Sequence, residues 1–239
     1  MALPTLNTQY TYETIIPSTK KVIRFRPFLV GEEKLFLMAA EAGTPKAMFD
    51  AVRRVLEACV TTEGFETQSL TAYDIEFLFL QLRARSVGEQ EPLMLTCKEC
   101  EGKNKIDFDF EKSVYVRGLD TFEPTKRIDL GGNIHISLVM PGVDEMMAVQ
   151  ETKDQTELVF KLIDLVIDKV YTEEEVMTFS AESKADRAAF VNSMSQAQLG
   201  EIQEFISGQP QIAADLSYTC GHCQAENQVV LTGLQDFFG

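Results

Sequence analysis

Histidine is scarce in this sequence: His135 and His222 are the two present. That leaves little material for acid–base or triad catalysis. Phosphate-binding loops are missing too, since neither GxxxxGKS/T nor GxGxxG occurs and Gly131-Gly132 fits neither pattern. No apolar run approaches the roughly 20 residues that a membrane span needs. The richest stretch, LVFKLIDLVIDKV, is broken by Lys161, Asp164 and Asp168. The opening MALPTLNTQYTYETII has no basic segment followed by an apolar one, so no secretory signal is expected. An odd count of 5 cysteines argues against a secreted disulfide framework. The expectation is a soluble, non-enzymatic protein made in a reducing compartment, with no membrane and no small-molecule substrate as partner.

What is present bounds the rest. The 239 residues suffice for one large domain or two small ones, and 45% are hydrophobic, enough to bury a sizeable core. The formal net charge is −15. A chain this acidic is repelled by nucleic acid unless it carries a segregated basic patch. None lies near the C-terminus, where residues 188–239 contain no Lys or Arg.

Element order repeats along the chain. YETIIPSTKKVIRFRPF reads as a β-hairpin with a Pro-Ser-Thr-Lys turn, and Arg24 and Arg26 as a solvated strand face. That basic face, Lys20 to Arg26, is the expected contact surface for an acidic partner. Thr44-Pro45 signals a helix start. The stripe behind it, Val52, Val55, Leu56, Cys59 and Val60, makes Cys59 a buried thiol. A second helix is predicted from about Ala72 to Arg85, with Ile75, Leu78, Phe79 and Leu82 on one face. A strand, a Cys-x-x-Cys turn and another strand follow. In the second half RIDLGGNIHISLVM is a hairpin turning at Gly131-Gly132, and a helix is expected near Gln155–Val170. TEEEV reads as a helix N-terminal turn, and Ser195-Gln196-Ala197-Gln198 as a capping box. The order then closes on strand, Cys-x-x-Cys and strand. The fold class expected is α+β in two similar halves, residues 1–112 and 113–239, joined through one composite four-cysteine site.

The two cysteine segments match beyond their cysteines. Thr96 and Thr219 precede the first Cys, Asn104 and Asn227 stand seven residues after it, and Ile106 and Val229 nine after it. Cys220-Gly221-His222-Cys223 is also the tetrapeptide of disulfide isomerases. A thioredoxin-like motif opens a helix, however, with most of its fold still to come. Here only 16 residues remain, and QVVLTG behind the motif reads as strand. Two strand-flanked pairs suit a tetrahedral zinc held by Cys97, Cys100, Cys220 and Cys223. The 119 residues between the pairs exceed the roughly 15–20 of an ordinary zinc ribbon, as an inserted segment or two contributing halves would produce. Four thiolates leave no open coordination position, so such a zinc is structural. His222, between two ligands, reads as a turn residue pointing away. The alternative function for a zinc-ribbon-like chain is a nucleic-acid-binding regulator, and the charge distribution argues against it.

The stretch IPSTKKVIRFRPFLVGEEKLFLMAAEAG, Ile16 to Gly43, resembles a family of baseplate hub proteins from T-even-like contractile-tailed phages. It shares the Pro-Ser-Thr-Lys turn, the strand ending in Arg-Pro-Phe and the Glu-Glu-Lys helix start. TAYDIEFLFLQLRARSVGE, Thr71 to Glu89, resembles that family's second block. The resemblance implies a non-enzymatic structural or assembly protein of the baseplate hub. It implies contacts with other baseplate and tail hub proteins, in the host cytoplasm during assembly and in the virion tail.

Overall fold

The computed structural model describes residues 10–88, 90–150, 152 and 154–238. The chain is α+β. In chain order its first elements are β1 (Tyr12–Ile15), β2 (Val22–Phe25), α1 (Val30–Ala42), α2 (Pro45–Cys59), α3 (Ala72–Ser86), β3 (Gln90–Thr96), β4 (Lys103–Asp109), α4 (Phe110–Ser113) and β5 (Tyr115–Arg117). There follow β6 (Thr125–Gly131), β7 (Ile134–Val139), α5 (Val143–Gln150), α6 (Gln155–Val166), β8 (Ile167–Tyr171), β9 (Val176–Thr178), α7 (Lys184–Asn192) and α8 (Gln196–Ser207). The chain closes with β10 (Gln211–Thr219), β11 (Glu226–Thr232) and α9 (Gly233–Phe238). Two compact units result: residues 1–117 with 211–239, and residues 118–210. The division expected at 112/113 concerns element order along the chain, whereas these units concern packing.

In the first unit, local signals set the helices. Thr44 caps α2 by accepting from the Ala47 amide at 3.2 Å, with Pro45 in the first turn. Thr71 and Asp74 form a reciprocal capping box at the start of α3. Ile75, Leu78, Phe79 and Leu82 are all buried, as the helical spacing required. Leu80 and Ala84 face elsewhere on α3 and join a second buried group with Phe108, Phe110, Ile212, Ala214, Leu231 and Phe237. Being buried on more than one side makes α3 the central helix of this unit.

Asp74 does more than cap. It is fully buried and accepts from both the amide (2.9 Å) and the hydroxyl (2.6 Å) of Ser18, in the Pro-Ser-Thr-Lys turn. The Phe28 amide donates to the Ser86 hydroxyl at 3.0 Å, and Phe36 packs on Phe79 at 5.1 Å. The two stretches that carried the resemblance, Ile16–Gly43 and Thr71–Glu89, are therefore one packed assembly.

One reading of the first hairpin is overturned. Arg24 is exposed and pairs with Glu13, but Arg26 is not solvated: its side chain is 15% exposed. Arg26 bonds Glu32 at 2.7 Å and the carbonyls of Pro27 (3.0 Å) and Ala58 (3.1 Å), and its amide donates to the Cys59 carbonyl. The guanidinium holds the Glu32 carboxyl below its ordinary range. Strand alternation predicted the direction of Arg26, but not that the end of α2 lies over it. Cys59 is buried as expected, and burial pushes its thiol up to about 11.

The second unit is a four-stranded antiparallel sheet of order β6-β7-β8-β9. Ile128, Ile136, Leu138 and Val170 pack with Ile163, Val166, Phe179, Ile202 and Phe205 in its core. The β6–β7 turn is Gly132-Asn133, one residue later than expected. Both residues have positive φ (59° and 64°), as a tight two-residue hairpin requires. α6 ends at Val166 instead of Val170, because the β-branched Ile167 turns extended and Val170 pairs with Ile136 in the sheet. TEEEV is no helix start either: it links β8 to β9, closed by the Thr172 amide on the Glu175 carbonyl at 2.9 Å. Ser195 and Gln198 form the expected capping box of α8.

Candidate metal centre

The four cysteines of the two matched segments converge within the first unit. Their sulfurs all lie within 4.8 Å of one another. Across the pairs, Cys97 and Cys223 are 3.7 Å apart, as are Cys100 and Cys220. A tetrahedral zinc with sulfur ligands at about 2.3 Å has sulfur–sulfur edges of about 3.8 Å. The residues present fit the ion.

Each knuckle is built the same way. β3 pairs with β4 from Thr96↔Lys103 outward, and β10 with β11 from Thr219↔Glu226 outward, the same register counted from the first Cys. The Cys97 amide donates to the Gly102 carbonyl at 2.9 Å, and the Cys220 amide to the Ala225 carbonyl at 2.8 Å. Tight closure forces one left-handed residue, and both knuckles place it four after the first Cys: Glu101 (φ 57°) and Gln224 (φ 61°). In both, the first cysteine is buried and the second exposed. Strand β11 follows the second motif directly, so the helix that would activate a redox pair is not there.

The asparagines seven residues on are exchanged between the knuckles. Asn104 accepts from the Gly221 amide at 2.8 Å and donates to the Cys220 sulfur at 3.5 Å. Asn227 accepts from the Lys98 amide at 3.1 Å and donates to the Cys97 sulfur at 3.4 Å. Both side chains are buried. The sequence displayed this pair as a matched position without disclosing its role, since a repeat does not say which copy a side chain reaches. His222 is a turn residue, as expected, and stands outside the four converging ligands: its Nε2 lies 3.1 Å from the Lys103 carbonyl, across on the first knuckle.

Electrostatics divide the thiols into two kinds. The Cys220 thiol is pulled down to about 6, chiefly by the Cys223 amide, with the His222 amide and Asn104 adding to it. Cys97 is lowered by the Cys100 and Glu99 amides and by Asn227. Cys100 is pushed up to about 12: the Gly102 amide favours its thiolate, but hydrogen bonding to Cys223, burial and the other two thiols outweigh that. Cys223 is raised as well, since burial and the neighbouring Cys220 and Cys97 outweigh the Ala225 amide. Two sites accept negative charge readily and two resist it while the first two hold it. All four would be ionised together only with a cation between them.

His135 pairs across the sheet with Tyr171 in the other unit, 3.6 Å from Asp129. Among the described residues no helix is long and apolar enough to cross a membrane.

The sequence matches the family model of the T4 bacteriophage base plate protein over residues 8–239, nearly the whole chain. The chain belongs to that family. Comparison with curated proteins and with solved structures found no significant match. As a base plate protein it works among other phage tail proteins, and its place is the tail of the virion. Both cysteine pairs fall inside the matched region.

Proposed function

We propose that this chain is a non-enzymatic component or assembly factor of the baseplate hub, acting through protein–protein contacts and braced by one structural zinc. The observation that carries the reading is the family match over residues 8–239. Four converging cysteines suit zinc, which Cys97, Cys100, Cys220 and Cys223 would hold. Bound there, it would cross-link the two knuckles and offer no position to a substrate. The protein forms in the host cytoplasm and takes its place among hub proteins, without binding nucleic acid.

The repeat supports a duplication with its boundary near 112/113. Each half has a hairpin, then helices, then strand, knuckle, strand and short helix, with α4 and α9 starting thirteen residues after the first cysteine; the second half adds β5 before its hairpin and β8 and β9 among its helices. A zinc spanning both copies holds the halves together.

Two measurements test the reading. Elemental analysis of protein purified without added metal should give one zinc per chain, lost in Cys220→Ser; two zincs, or a Cys220–Cys223 disulfide, contradicts the shared site. Co-expression with the other tail genes should yield the chain in hub complexes. Normal tails formed without it, or salt-sensitive DNA binding, would favour another role.

A further inference from the structure

Helix α1 presents apolar residues on two sides, between the charges of Glu32, Glu33, Lys34 and Glu41. Its inner side is occupied: Phe36 packs against Phe28 and Phe79, and Ala39 is buried. On its outer side Val30, Leu37 and Met38 are 71%, 63% and 66% exposed. Large apolar side chains left exposed together on a helix face mark an interaction surface. The outer residues 30, 34, 37, 38 and 41 follow helical spacing and form one face.

The charges on that face point to its occupant. Lys34 and Glu41, both exposed, stand on either side of Leu37 and Met38. Turned end for end, the face matches itself: Lys34 meets Glu41, Leu37 meets Met38, and Glu41 meets Lys34. We propose that α1 is the contact through which two copies of this chain pair, antiparallel, about a two-fold axis between Leu37 and Met38. An isologous contact of this kind needs a self-complementary patch, and the face is one.

Net charge opposes pairing only moderately. The unit holding α1 carries 20 acidic and 15 basic residues, against 17 and 7 in the other. Charges beyond about 8 Å are largely screened at physiological salt. One helix face is smaller than the roughly 800 Å² each partner contributes to a standard interface. The dimer is accordingly weak, with Kd on the order of 10 µM. This inference is independent of the metal and of the hub assignment.

Sedimentation equilibrium on the full zinc-loaded chain, from about 1 to about 100 µM, tests it. The average mass should climb toward twice that of one chain. Leu37→Glu should remain monomeric throughout with unchanged thermal unfolding, because the side chain it replaces is exposed. Lys34→Glu and Glu41→Lys should each weaken pairing severalfold, while an equimolar mixture of the two should pair at least as tightly as wild type. A parallel pair would already set like charges together in wild type, so neither single variant would weaken it; weakening by each together with rescue in the mixture marks the antiparallel arrangement. A wild-type monomer at every concentration, a dimer that survives Leu37→Glu, or the lack of rescue in the mixture overturns the proposal. So does a monomer that instead binds a co-expressed tail protein through Leu37, since the face then has another occupant.

Discussion

A Cβ on Gly102 would lie 2.6 Å from Cδ2 of His222, whose Nε2 is 3.1 Å from the Lys103 carbonyl. The glycine is there for room, and the imidazole uses that room to lie across the opposite knuckle. The corresponding position in the second knuckle is Ala225, facing no such ring. Gly102→Ala must displace His222 or press on Cys100, 3.2 Å away. It should cost about 1–3 kcal/mol of stability, the usual range for overpacking. In a His222→Ala background much of that cost should vanish. Equal costs in both backgrounds, measured by denaturant unfolding, would show that the ring is not the obstacle.

Asn104 and Asn227 make the same pair of bonds in opposite directions, so their variants should behave alike. Asn104→Ala leaves the Gly221 amide without its acceptor and Cys220 without a donor, and Asn227→Ala does the same to Lys98 and Cys97. Each should lose about 1–3 kcal/mol. Each should also weaken metal retention about 10- to 100-fold, the usual effect of removing a group that orients a ligand. Chelator competition followed over time reads the second effect. A loss confined to one variant would mean that the two knuckles are not equivalent.

Much of this was legible in the sequence for a physical reason. Hairpins, caps and knuckles are set by local chemistry, so Thr44, Ser195 and the Cys-x-x-Cys turns announced themselves within a few residues. Features that depend on distant chain did not. Nothing near Arg26 reveals that the end of α2 lies over it, and nothing near Val170 reveals that the sheet takes it from the helix. The cysteines could be grouped by kind, yet their S–S approaches and the crossed asparagines arise only when two segments over a hundred residues apart are brought together.

Arg24 and Arg26 separate the expected from the observed role of the basic strand. Arg24→Glu changes an exposed residue and should shift stability by about 0.5 kcal/mol or less. Arg26→Glu sets a carboxylate against Glu32 in a largely buried site and strands the Pro27 and Ala58 carbonyls. Breaking a buried pair in this way costs about 3 kcal/mol or more. Thermal unfolding should show the contrast. Any assembly defect of Arg26→Glu is therefore a folding defect, whereas one in Arg24→Glu would report on the surface.

Glu76, on α3, has a carboxyl raised from its ordinary 4.5 to about 7, with burial as the cause. Between those values the folded chain keeps a proton that the unfolded chain has released. Stability from this group is therefore full below about pH 4.5, falls as pH rises toward 7, and levels off above. Glu76→Gln removes the cost of burying the charge. It should stabilise the protein by roughly 1–3 kcal/mol at pH 8 and change little at pH 4, where the native carboxyl is protonated in both states. Other acidic groups titrate over the same range, so the quantity to follow is the difference between variant and wild type at each pH. A difference that is equal at pH 4 and pH 8 would mean that the carboxyl is not held protonated by the fold.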